Sequence, residues 1–159
     1  MIAKLAGALL LVLGGGHFCV ERIRRRRKEI QLRYELAAAL ESMEGMIRWE
    51  KATLLAAIKG QCGRNGCGEM FADILKLVKS KTALQDAWKN TFWLIEPVRD
   101  IMCRIELSGD ELRITGQLHW AAQQLRQTAE QCNADRAESE KLCWVICASA
   151  VSLVTILLF

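Results

Sequence analysis

Between residues 29 and 141 apolar side chains return at helical intervals, and on either side lie two apolar runs, residues 5–20 and 142–159, with no charged residue in either. Leu32, Leu36, Leu40, Met43 and Ile47 follow one another at steps of four, four, three and four, which draws a single stripe down a helix. Charged Arg33, Glu35, Glu41, Glu44 and Arg48 fall mostly on its other faces. Thr53 is placed to cap a short second helix carrying Leu54, Leu55 and Ile58, with Gly60 ending it. A third helix over residues 69–79 puts Phe71, Ile74, Leu75 and Val78 at core spacing. Thr82 and Gln85 have the form of a capping box for a fourth, with Leu84, Ala87, Trp88 and Phe92 inward. Glu96-Pro97 interrupts the pattern, because proline cannot donate to a preceding turn and drives its predecessor out of helical geometry. Ile101, Met102 and Ile105 mark a short fifth helix. Ser108 and Glu111 form a second capping box, opening the longest helix, with Leu118, Ala121, Ala122, Leu125, Ala129 and Cys132 along one face. No segment alternates at strand period. The expectation is an all-α antiparallel bundle of about five or six helices over residues 29–141. Its buried set should be Leu36, Leu40, Met43, Ile47, Phe71, Ile74, Trp88, Leu118, Ala122 and Leu125.

The flanking runs predict membrane helices. At about 1.5 Å per residue they reach about 24 and 27 Å, short but sufficient for a bilayer core that thins slightly. Lys4 can snorkel to an interface, and Trp144 stands where an interfacial tryptophan is favoured. Arg22, Arg24, Arg25, Arg26, Arg27 and Lys28 follow the first run directly and mark its cytoplasmic side, since translocating a block of cations is costly. The predicted organisation is an N-terminal transmembrane helix (1–21), a basic cytoplasmic flank (22–28), a cytoplasmic helical bundle (29–141) and a C-terminal transmembrane helix (142–159). The first run is expected to be retained. No small-x-small cleavage site stands near its end, and Phe18 before Cys19 makes a poor lipoprotein site. Gly14, Gly15 and Gly16, and Ala148, Ser149 and Ala150, are small residues of the kind that let membrane helices approach.

The net charge of +4 is largely that one basic cluster, so it is not a nucleic-acid footprint, which would spread over a folded face with aromatic partners. The chain has 7 cysteines, but those outside the apolar runs lie in the predicted cytosolic segment, where thiols stay reduced. Cys62 and Cys67, with four residues between them in the glycine-rich stretch 60–68, are the strongest metal candidate; a structural zinc site would need two further ligands that no nearby histidine or cysteine pair supplies. The same stretch lacks the lysine and hydroxyl of a phosphate-binding P-loop. His119 has no evident nucleophile or acid beside it in sequence. No catalytic residue, cofactor or metal is therefore expected, and anchoring is favoured over chemistry; the alternative is a metal- or thiol-dependent membrane protein using the Cys62–Cys67 loop.

The order of these features resembles the stage III sporulation protein AB family: a short span, a basic run, a helix with Leu36, Leu40, Glu44, Ile47 and Trp49, then Leu54, Ala57 and Ile58. Phe71, Ala87-Trp88, Gly109 with Gln117, and the Lys141-Leu142 junction into the last run continue the resemblance. Thr53 stands where the family usually has proline. The resemblance implies a membrane platform protein in the assembly joining mother cell to forespore, similar to platform proteins of type II secretion and type IV pilus systems. By that analogy its partners are a secretion-type ATPase, other sporulation channel membrane proteins and the lipid bilayer. It would be a multi-pass protein of the mother cell membrane.

Overall fold

Six α-helices follow in order in the computed structural model: α1 (Ile2–Arg48), α2 (Leu54–Gln61), α3 (Gly68–Lys79), α4 (Leu84–Trp93), α5 (Arg99–Met102) and α6 (Glu111–Leu158). The structure describes the backbone of residues 2–158, and the side chains of residues 20–136 together with 17, 141, 142, 145, 146 and 149. Among the described residues there is no strand, and the all-α expectation holds. Also among them, no helix is long and apolar enough to cross a membrane. The side chains of the two apolar runs lie largely outside the described residues, and with them the expectations on Lys4, Trp144, Gly14, Gly15, Gly16, Ala148 and Ala150.

The chain packs as two units: Met1–Ile30 with Gln131–Phe159, and Gln31–Glu130. In the second unit the core is the one the stripes predict. Leu36, Leu40, Met43 and Ile47 of α1 are buried, and so are Phe71, Ile74, Trp88, Leu118, Ala122 and Leu125. Two side-chain pairs cross-link α1 to α6, and a third joins the turn after α1 to the start of α6. Arg126 Nη2 lies 2.6 Å from Glu41 Oε2, His119 Nδ1 lies 3.0 Å from Glu44 Oε2, and Lys51 Nζ lies 2.7 Å from Glu111 Oε1. The partner's number falls as the α1 number rises, so the two helices run antiparallel here. At the centre Phe71, Trp88 and Phe92 pack ring against ring, with centroids 4.9 to 6.3 Å apart. Trp88 buries a large apolar surface and still satisfies its indole, donating from Nε1 to the Met102 carbonyl at 2.8 Å.

The caps are mostly local chemistry, with three corrections, the first that α2 runs past Gly60 to Gln61 and ends on Cys62. Thr53 caps α2 as expected, its Oγ1 accepting from Ala56 N at 3.3 Å. The capping box at Thr82 does not form. The residue before α4 is Ala83, with no side-chain cap, because Gln85 is drawn elsewhere: its Nε2 donates to the Ile105 carbonyl at 2.9 Å and its Oε1 accepts from Leu107 N at 2.7 Å. The box at Ser108 also fails by position. Asp110 caps α6 instead, Oδ1 accepting from Arg113 N at 3.1 Å, while Gly109 turns the chain at φ +127°. The helix expected to open near Glu29 is part of α1, which continues unbroken from Ile2. Helix α1 ends at Arg48, and the turn after it places Lys51 in the left-handed region (φ 54°) and closes with Ala52 N donating to the Met46 carbonyl at 3.1 Å.

Candidate functional site

Three sets of the described residues carry candidate chemistry. The first is the basic run. Arg22, Arg24, Arg25, Arg26, Arg27 and Lys28 are all exposed on α1, with Arg25 Nε 3.7 Å from Glu29 Oε1. Six cations within seven residues of helix make a strong local positive field whose lower-energy side is water or an anionic surface.

The second is the loop between α2 and α3. Here the glycines have structural duties. Gly66 adopts φ +78°, and the Glu35 carboxylate occupies the space that a Cβ would need. At Gly68 a Cβ would stand 2.5 Å from the Cys62 carbonyl oxygen, so the start of α3 closes against the end of α2 only without a side chain. The two thiols diverge: Cys62 Sγ donates to the Ile58 carbonyl at 3.7 Å, and Cys67 Sγ to the Glu35 carbonyl at 3.8 Å. Burial pushes the Cys67 thiol up, and the Glu35 charge adds to it, outweighing Arg64. Burial likewise raises Cys103. Among the described residues no group of three or more His, Cys, Asp or Glu could hold a metal ion.

The third centres on His119, whose acid partner sequence spacing hides, since Glu44 is 75 residues away. Glu44 Oε2 lies 3.0 Å from Nδ1, and Gln123 Nε2 lies 3.0 Å from Nε2, so each ring nitrogen has a hydrogen-bond partner. Arg48 Nη1 lies 3.5 Å from the other oxygen of Glu44. With both ring nitrogens occupied, the arrangement straps α1 to α6 and leaves no nitrogen for a substrate. Only the facing of two helix stripes could have pointed to this pair.

The surface of the second unit also carries large apolar side chains that periodicity did not single out as exposed: Trp49, Trp93, Leu94 and Leu112. Arg48 lies over the Trp49 ring at 5.4 Å and Arg99 over Trp93 at 5.3 Å.

A family model, Stage III sporulation protein AB (spore_III_AB), matches residues 4–159. The chain belongs to this family. The match runs through all six helices and both outer segments, so family membership concerns the whole architecture, and it gives the protein a role in sporulation. No curated protein and no solved structure matches the chain.

Proposed function

We propose that this protein is a non-enzymatic membrane platform of the sporulation mother cell–forespore channel, holding a secretion-type ATPase against the membrane. The observation that carries the reading is that α1 and α6 are unbroken helices whose sequences join the bundle stripe to an apolar run at each end of the chain. In this reading residues 1–21 and 142–159 cross the bilayer, residues 29–141 lie in the cytoplasm, and Arg22, Arg24, Arg25, Arg26, Arg27 and Lys28 set the sidedness. Two tethers fix the height and orientation of a domain, which matters to a docking platform for a force-generating partner. They also keep a bound partner close, raising its effective concentration at the membrane. The side-chain arrangement supports the reading from another direction: His119 is engaged on both nitrogens, and Cys67 is held protonated.

Thiol labelling of cysteines introduced at Ser80 and after Phe159 should give opposite sidedness in intact cells; matching sidedness sinks the topology. Full-length protein in detergent should capture the secretion-type ATPase of the same cell, and failure to do so removes the docking role. Deleting residues 142–159 should abolish sporulation while the bundle still folds. Replacing His119, Cys62, Cys67, Cys103 and Cys132 together with size-matched residues should leave sporulation near normal. A block by that replacement in a folded, membrane-bound protein would restore the thiol or metal reading.

A further inference from the structure

Helices α2 and α3 leave a groove of about 340 Å³ between them, lined by Leu55, Ala56, Lys59, Leu75, Val78 and Lys79. The loop that joins the helices reverses the chain: Gly68 abuts Cys62 at one end, and Leu55 shares the groove with Val78 and Lys79 toward the other. Each wall therefore presents apolar side chains and then a lysine in the last turn of its own helix, Lys59 on α2 and Lys79 on α3. Because the chain reverses, Lys59 stands next to the joining loop and Lys79 at the end of α3 away from it, one at each end of the apolar lining. Lys51 and Lys76 meet carboxylates of this chain at 2.7 Å, whereas neither Lys59 nor Lys79 is ion-paired among the described residues. Leu55 is 45% exposed, a branched aliphatic side chain left in water at the groove's edge.

We infer that this groove receives an amphipathic helix of a partner protein, its apolar stripe on Leu55, Ala56, Leu75 and Val78 and its flanking carboxylates on Lys59 and Lys79. The chemistry is that of helix-in-groove recognition, in which apolar anchors supply contact area and rim charges select the partner. The inference rests on the docking reading above and names the face and the partner chemistry that docking would use. A basic or neutral amphipathic helix would meet two unmatched cations and be rejected, so the rim acts as a filter as well as an attractant.

The test uses the full chain in detergent and two synthetic helices of about 18 residues with the same leucine stripe, one flanked by Glu and its twin by Lys. Wild-type protein should bind the Glu-flanked helix in preference to its twin by fluorescence anisotropy. The charge reversal K59E/K79E should weaken the Glu-flanked helix about five- to tenfold and transfer preference to the Lys-flanked one, as two rim ion pairs would give. The control K89E/K141E, exposed lysines outside the groove, should leave binding unchanged. Leu55→Ser should weaken both helices alike. All five positions are exposed, so circular dichroism and the unfolding midpoint should stay at wild-type values. Equal binding of the twins, equal loss in K89E/K141E, or a self-association of wild type that K59E/K79E removes would each overturn the inference, the last by making a second copy the occupant. The ATPase capture separates the two levels: capture by wild type and by K59E/K79E alike overturns the groove and leaves docking standing. No capture by wild type removes the docking reading, and the peptide pair then decides the groove alone.

Discussion

Single residues in the α2–α3 loop show how a stretch that looks chemical in sequence is committed to backbone geometry. Gly66 sits at φ +78° with the Glu35 carboxylate in the place of a Cβ, so Gly66→Ala forces an L-residue into a left-handed conformation and displaces a side chain. The conformational part alone costs about 1–2 kcal/mol, and the urea midpoint of the full chain should fall accordingly. Gly63 has open space around its Cβ position, and Gly63→Ala should leave the midpoint near wild type. At Cys67 the raised thiol pKa fixes a sign. The folded state holds the proton more tightly than the unfolded chain, so Cys67 contributes stability that is fully present below the unfolded thiol's pKa and is lost as pH rises through the folded one. In unfolding measurements, the stability difference between wild type and Cys67→Ala should therefore hold constant with pH below the ordinary thiol range and shift only above it, where wild type loses that contribution. Alkylation under native conditions should mark half-buried Cys62 before Cys67, as mass spectrometry of the modified peptides would show.

Whole helices were more legible in sequence than their ends. The stripe Leu36, Leu40, Met43, Ile47 is buried because the 3.6-residue period leaves no other face apolar enough to pack, and the same holds for Leu118, Ala122 and Leu125 on α6. Leu40→Ala, at a site with no exposed surface, should cost about 2–5 kcal/mol by equilibrium unfolding, whereas a loss within about 0.5 kcal/mol would place the stripe elsewhere. Caps failed where a distant group competed. Gln85 fits a capping box locally, but the main chain at Ile105 and Leu107 offers it a donor and an acceptor together, and that pairing wins. Asp110 outcompetes Ser108 because Gly109 bends the chain and sets the carboxylate over the first free amides of α6. Asp110→Ala should cost about 1 kcal/mol, and Ser108→Ala close to nothing. The Glu44–His119 strap and the α2–α3 groove lay beyond sequence for one reason: each depends on which faces of two separate helices meet.

At the scale of the whole molecule, the segment between α5 and α6 behaves unlike a loop. Residues 104–110 form no helix, yet Ile105 and Leu107 are buried and side chains from two different helices hold the main chain. Gln85 of α4 takes the Leu107 amide and the Ile105 carbonyl, and Gln117 of α6 takes the Glu106 amide at 2.5 Å. Two glutamine amides thus do for this segment what a neighbouring strand would do in a sheet. In deuterated water, the Leu107 amide cannot exchange by local fraying of a helix end, because its acceptor leaves only when α4 separates from the segment. It should exchange at the slow rate of the Trp88 and Leu118 core, reporting cooperative opening of the second unit from a place that a secondary-structure diagram draws as coil. Gln85→Leu should speed that one amide far more than it slows or speeds the helices around it.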